Sequence, residues 1–296
     1  MVTRIGHVGL RVTDLGRSVA FAQDILGLRE SRRDGPTSYL TCNERHHELV
    51  LIEADQAGCD HVALEVPDEA TLEKALSLAQ AEGLTVLSQQ PEEPGLAAAL
   101  RFIGPGGFVF ELFCGMAHDQ PPHYRTAGAR PRKFEHITIK SSDKEAMEDL
   151  LTRILGFRIS DRAEDQISWL RASHEHHGMS VVRADVNQLQ HYAWQIPTFA
   201  DIKTTGDHLM AEGRTFLWGP GHHGIGDNYF CYFLDDDGVI VEYSAEIQRI
   251  EDEAGWVVRT WPDEPLSVNC WGNPPPPQEF IDGGVPALPP LGAVAG

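Results

Sequence analysis

The chain has 296 residues, 44 of them acidic against 24 Lys and Arg, for a net charge of −20 with His neutral. At 42% hydrophobic and 23% charged residues it has material for one large or two ordinary domains, and no apolar run approaches the ~20 residues of a membrane span. The acidic balance repels nucleic-acid phosphates, five cysteines without a C-x-x-C pair fit a reducing compartment, and no apolar leader opens the chain. These features predict a cytoplasmic protein with a small-molecule substrate, no nucleic-acid partner and no membrane partner.

The first predicted strand carries Gly6-His7-Val8-Gly9-Leu10. Its helix has Asp14 as N-cap, an apolar stripe of Leu15, Val19, Ala22 and Leu26, and Gly27 as the stop. The second strand is Asp60-His61-Val62-Ala63-Leu64, with a helix over about 69–82 that ends at Gly83. Residues 125–133, rich in Arg, Gly and Pro, read as a linker. The third strand, Glu135-His136-Ile137-Thr138-Ile139, leads to a helix with a capping box Ser142-x-x-Glu145, a stripe of Met147, Leu150, Leu151 and Ile154, and a stop at Gly156. The fourth, Gln190-His191-Tyr192-Ala193-Trp194, precedes a helix over about 200–212 that ends at Gly213. Short alternating strands follow each helix, so a β-α-β-β-β unit recurs four times.

The halves correspond: His7 with His136, Gly27 with Gly156, His47 with His177, His61 with His191 and Glu111 with Glu242, at offsets of 129 to 131. The expected fold is α+β, with homologous domains at 1–124 and 134–250 and an extension at 251–296. Each domain would join two modules into a curled mixed sheet around a cavity. Alternation puts His136 and Thr138 on one strand face, and His191, Ala193 and Gln195 on one face of another. The opposite faces are apolar and must cover the helices. His136, His191 and Glu242 would therefore converge on the concave side. Two imidazoles and one carboxylate on one face of an octahedral ion leave positions open, as non-haem Fe(II) oxygen chemistry requires.

With those residues in place, the chain resembles the type I extradiol ring-cleavage dioxygenases of the vicinal oxygen chelate superfamily over about residues 1–250. The most specific stretch is Cys231-Tyr232-Phe233-Leu234-Asp235-Asp236-Asp237-Gly238-Val239-Ile240-Val241-Glu242, with Cys231 and Asp236 departing from the family pattern. The resemblance implies Fe(II), with Mn(II) as the alternative, held by His136, His191 and Glu242. It implies a catechol-type substrate and O2, with extradiol ring opening in aromatic catabolism. It places His223 and Tyr232 at the substrate and His177 as the distal acid/base residue. His176 is the rival of His177 by strand alternation, and Trp169 and His176 are taken as substrate contacts. A homo-oligomer is expected.

The N-terminal half also carries His7, His61 and Glu111, with His46-His47 mirroring His176-His177. Counting back from Glu111 by the spacings of Tyr232 and His223 from Glu242 reaches Arg101 and Glu92, which supply neither role. That half is therefore expected to be non-catalytic, with an occupied second metal site at His7, His61 and Glu111 as the alternative. The tryptophans of the extension suggest packing on the body, over the pocket mouth or at a subunit contact. Two other readings of the same fold remain open: a metal-free small-molecule binding or resistance protein, and a glyoxalase-like isomerase.

Overall fold

The computed structural model describes residues 1–119, 128–272 and 274–291; residues 125–127 of the expected linker lie outside the described residues. The N-terminal half runs β1 (Arg4–Val12), α1 (Leu15–Asp24), β2 (Arg29–Asp34), β3 (Thr37–Thr41), β4 (Leu49–Glu53), β5 (Gly58–Glu65), α2 (Glu69–Ala81), β6 (Thr85–Ser88), β7 (Ala98–Ile103) and β8 (Val109–Cys114). The C-terminal half repeats this order. It has β9 (Lys133–Ser141), α3 (Lys144–Asp149), β10 (Arg158–Ala163), β11 (Ile167–Arg171), β12 (Met179–Arg183), β13 (Gln188–Gln195), α4 (Phe199–Ala211), β14 (Trp218–His222), β15 (Tyr229–Leu234) and β16 (Ile240–Ala245). The extension adds β17 (Arg259–Trp261), α5 (Pro265–Val268), α6 (Gln278–Asp282) and β18 (Val285–Pro286).

Each half forms one curled mixed sheet. The strand orders are β2-β3-β4-β1-β5-β8-β7-β6 and β14-β15-β16-β13-β9-β12-β11-β10-β17, with β18 pairing β13. Equivalent strands occupy equivalent places, which is the four-fold β-α-β-β-β repeat read from the sequence. The first helix is capped as its sequence predicts: the Asp14 side chain accepts from Arg17 N at 2.9 Å, and Leu15, Val19 and Ala22 are buried on the sheet. The third helix differs. Asp143, not Ser142, is its N-cap and accepts from Ala146 N at 2.9 Å. Ser142 instead bonds Asn187, and Glu145 is drawn out to Arg183. A capping box does form at α4, where Thr198 and Asp201 satisfy one another's backbone N–H groups. Among the described residues no helix is long and apolar enough to cross a membrane.

The halves meet through their helices and turns. Tyr243 donates to the Leu26 carbonyl at 3.0 Å, and Val2 N donates to the Leu155 carbonyl at 3.0 Å. Asp237, in the turn before β16, accepts from Thr13 N at 3.2 Å and pairs with Arg17 at 3.2 Å. The extension then crosses the C-terminal half and reaches the N-terminal one, where Leu288 N donates to the Cys59 carbonyl at 2.9 Å.

Candidate metal centre

The register of three neighbouring strands builds the floor of the C-terminal cavity. In the ladder His136 on β9 lies opposite Ala193 on β13, and Ala193 lies beside Glu242 on β16. His191 precedes Ala193 by two residues on the same face. Strands two apart are about 10 Å distant, so His136 and Glu242 meet only by leaning across the strand between them. Ala193, fully buried, leaves that space free. His136 Nε2 and Glu242 Oε2 come to 3.0 Å, His191 Nε2 and Glu242 Oε2 to 3.1 Å, and the two Nε2 atoms to 3.4 Å. Donors about 2.1 Å from an ion and at right angles to one another stand about 3 Å apart. The three therefore fit one face of an octahedral ion.

Neighbouring residues fix the tautomers. The Glu135 carboxylate accepts from His136 Nδ1 at 3.1 Å, and the Gln190 amide oxygen accepts from His191 Nδ1. With the proton on Nδ1, each Nε2 lone pair points at the site, the usual outer support of a metal-bound imidazole. Asn228, wholly buried, donates to Ser244 Oγ at 3.0 Å and lies 3.4 Å from Glu242 Oε1. Burial opposes the charge on Glu242, but His136 and His191 outweigh it and hold its carboxyl well below the usual range. Burial also works against a charged His136, yet Glu242 and Glu135 raise it to about 10 in the ion-free protein. In the ion-free protein a proton shared between His136 and Glu242 thus stands where a divalent cation would displace it.

Above the floor opens a cavity of about 410 Å³, lined by Thr138, Trp169, His177, Trp218, Ile225 and Tyr232 among others. The His223 ring is held by the Val268 carbonyl, which accepts from Nδ1. Its Nε2 then accepts from the Tyr232 hydroxyl at 3.1 Å. Burial lowers His223 to about 4, and burial together with His136 depresses His177 well below the ordinary imidazole value. Both are neutral bases at neutral pH. His177 lies against His136, with ring centroids 4.6 Å apart.

His176, expected as a substrate contact, does not line the cavity. It lies behind His177, with the Nδ1 atoms 3.1 Å apart, Nε2 3.4 Å from Asp161 Oδ2 and its ring against Trp256. The two histidines sit in a bend before β12, so strand alternation does not govern which of them turns inward. Trp169 lines the cavity as expected.

Several residues of the site were not singled out from the sequence. Glu135 and Gln190 could have been: each immediately precedes a candidate ligand histidine, as Asp60 precedes His61. The tryptophans of the extension pointed to a place over the pocket mouth, but nothing in the sequence marked which of its residues form a wall there. Asp263, Glu264, Pro265, Val268, Phe280 and Ile281 close one side of the cavity, and Lys140 Nζ anchors them by donating to the Ile281 and Gly283 carbonyls at 2.7 Å each. Trp256 and Trp261 tie the extension to β10 through the Ser160 carbonyl and Asp161, at 2.9 Å each.

The model of the Glyoxalase/Bleomycin resistance protein/Dioxygenase superfamily matches residues 4–112 and 133–243. A manganese-dependent 2,3-dihydroxybiphenyl 1,2-dioxygenase of Geobacillus genomosp. 3 is 28% identical over 257 residues, covering 79% of this chain and 82% of that protein. The Mn(II)-bound glyoxalase from Novosphingobium aromaticivorans superposes with a TM-score of 0.87 at 27% identity, over 94% of this chain and 93% of that one. Homoprotocatechuate 2,3-dioxygenase from Brevibacterium fuscum, in its anaerobic complex with 3,4-dihydroxyphenylacetate, gives 0.87 at 25% identity, over 96% and 92%.

Proposed function

The chain belongs to the Glyoxalase/Bleomycin resistance protein/Dioxygenase superfamily, and from that premise we propose that it is an extradiol dioxygenase. It would cleave a catechol-type diol with O2 at a mononuclear site in the C-terminal half. The observation that carries the reading is the three-donor face of His136, His191 and Glu242 at the floor of a cavity whose walls are mainly apolar. A fourth protein donor completing a tetrahedral shell would leave no position for substrate. Three donors leave up to three.

An Fe(II) ion there, or Mn(II), which suits the same ligands, would acidify two vicinal hydroxyls and offer a position for O2. The protein does the rest. Trp169, Trp218 and Ile225 hold the ring in an apolar slot and exclude water. His223 Nε2 and the Tyr232 hydroxyl, bonded to each other at 3.1 Å without substrate, would exchange that bond for a substrate oxygen, with Tyr232 donating and His223 accepting. His177, neutral and without a metal-donor role, takes up a proton on one side of the ring and returns it after the ring opens. The assignment of roles to His177, His223 and Tyr232 rests on these positions and on their neutral state.

The test is anaerobic loading with Fe(II) or Mn(II), addition of a panel of substituted catechols, and then of O2. Oxygen uptake with a yellow ring-opened product is expected from the loaded protein, and neither from Glu242→Gln, which loses its anionic ligand and its metal. A glyoxalase-type isomerase is the second reading, favoured by the likeness to the Mn(II)-bound glyoxalase. Turnover of a hemithioacetal without O2 uptake would establish it instead.

A further inference from the structure

The N-terminal half repeats the floor of the metal centre with one ligand more. His7 on β1, Ala63 on β5 and Glu111 on β8 stand in the same row as His136, Ala193 and Glu242. His7 Nε2 lies 3.2 Å from His61 Nε2 and 3.3 Å from Glu111 Oε2. Into this space the segment between β6 and β7 inserts Glu93, which has no counterpart at the C-terminal floor. Its Oε2 is 2.8 Å from His7 Nε2, and its Oε1 is 3.0 Å from His61 Nε2. All four side chains are buried, and one donor atom from each lies within 4.8 Å of the rest.

Three further features point to a cation. Asp60 accepts from His61 Nδ1 at 2.8 Å and is itself held by Arg11 Nε at 2.7 Å, so the His61 Nε2 lone pair faces the cluster as a metal-bound imidazole's does. Glu111 Oε2, with the residue wholly buried, faces His7 Nε2 at 3.3 Å but makes no well-formed hydrogen bond among the described residues, an under-satisfied state for an anionic oxygen that a cation would relieve. The third is the local charge. Arg101 stands at the ladder position of Tyr232 and donates from Nε to Glu111 Oε1 and from Nη2 to Glu93 Oε1, at 2.8 Å each. Arg101 Nη1 also pairs with the half-exposed Glu92 at 2.9 Å, so one guanidinium meets three carboxylates and a negative excess remains for a cation to offset. Arg101 shares Glu93 Oε1 with His61 and takes Glu111 Oε1, which leaves Glu111 Oε2 and Glu93 Oε2 towards His7, with His47 Nε2 also 3.1 Å from Glu93 Oε2.

We propose that His7, His61, Glu93 and Glu111 form a second, closed site for a divalent cation of the Zn(II) class, structural and without a position for substrate. Tetrahedral donors 2.0–2.1 Å from an ion are about 3.3 Å apart, close to the separations here. Two imidazoles and two carboxylates complete the shell. The ion would cross-link β1, β5, β8 and the β6–β7 segment. This site is independent of the oxygen chemistry assigned to the C-terminal half.

Metal per folded chain, measured by mass spectrometry after equilibration with Zn(II) and dialysis, tests it. Two equivalents are expected in the wild-type chain and one each in Glu93→Gln, His61→Gln and Glu242→Gln. Co(II)-loaded Glu242→Gln isolates the N-terminal site. It should show the intense visible absorption of four-coordinate Co(II), and that absorption should vanish in the Glu93→Gln/Glu242→Gln double variant. One equivalent in the wild type with none in Glu242→Gln would overturn the proposal and leave the cluster neutralised by Arg101 and protonated imidazole alone. The Glu242→Gln spectrum decides the matter even if His61→Gln fails to fold. Loss of O2 uptake in the wild type would overturn the catalytic reading without touching this count.

Discussion

At the scale of single residues, the site works by fixing where protons are. Val268 holds the His223 proton on Nδ1, Glu135 and Gln190 do the same for the two imidazoles of the metal face, and His177 is left neutral by burial. Replacing His177 with Phe keeps the ring's shape and removes its proton-handling nitrogens. Metal and catechol should still bind, and ring opening should slow by about 10²–10⁴-fold, read in single-turnover mixing with O2. His176→Phe should cost far less, because His176 reaches the cavity only through its neighbour. A second expectation concerns pH. His223 titrates near 6.5 when exposed and near 4 in the folded chain, so below about pH 6.5 the unfolded chain takes up a proton that the folded chain refuses. Its stability contribution is full above 6.5 and lost as pH falls towards 4. His223→Asn lacks that penalty: the Tm gap between wild type and variant should narrow across this window, and a constant gap would show that His223 is not held neutral.

At the scale of elements, register does the positioning. The row His136, Ala193, Glu242 works because the middle residue is nearly without a side chain, and the N-terminal row His7, Ala63, Glu111 obeys the same rule. Ala193→Val puts two methyl groups where the ligands lean together. The expected cost is about 1–3 kcal/mol in stability, with metal content falling well below one per chain at the C-terminal site while the fold persists by circular dichroism. The sequence carried much of this. A histidine in second place on four alternating strands exposed the repeat, and the constant offset paired Glu111 with Glu242. Alternation gave out where the chain leaves the strand. At His176-His177 two adjacent imidazoles sit in a bend, and only packing against His136 and Asp161 selects which one faces the cavity. The third helix shows a similar limit: Ser142, Asp143 and Glu145 allow two caps, and the pull of Arg183 and Asn187, distant in sequence, decides for Asp143.

At the scale of the molecule, the extension is the part least legible in advance, since Pro-rich chain with scattered tryptophans has no period to read. In the structure it is a wall. Removing residues 256–296 should open the C-terminal cavity to water, raise KM for catechols and lower kcat, while metal stays bound because every ligand belongs to residues before 245; steady-state kinetics and metal content together check this. The same segment continues past the C-terminal cavity to the N-terminal half, where Arg11 donates to the Pro289 carbonyl at 2.6 Å and Pro290 and Leu291 line the cavity above Arg101. One strap therefore spans both halves, and it is synthesised after them. A chain that folds in the order of its synthesis would bring the ligand rows of both halves together before the strap lies across them. An ion has open access until that last segment docks across the chamber in which the chemistry would run.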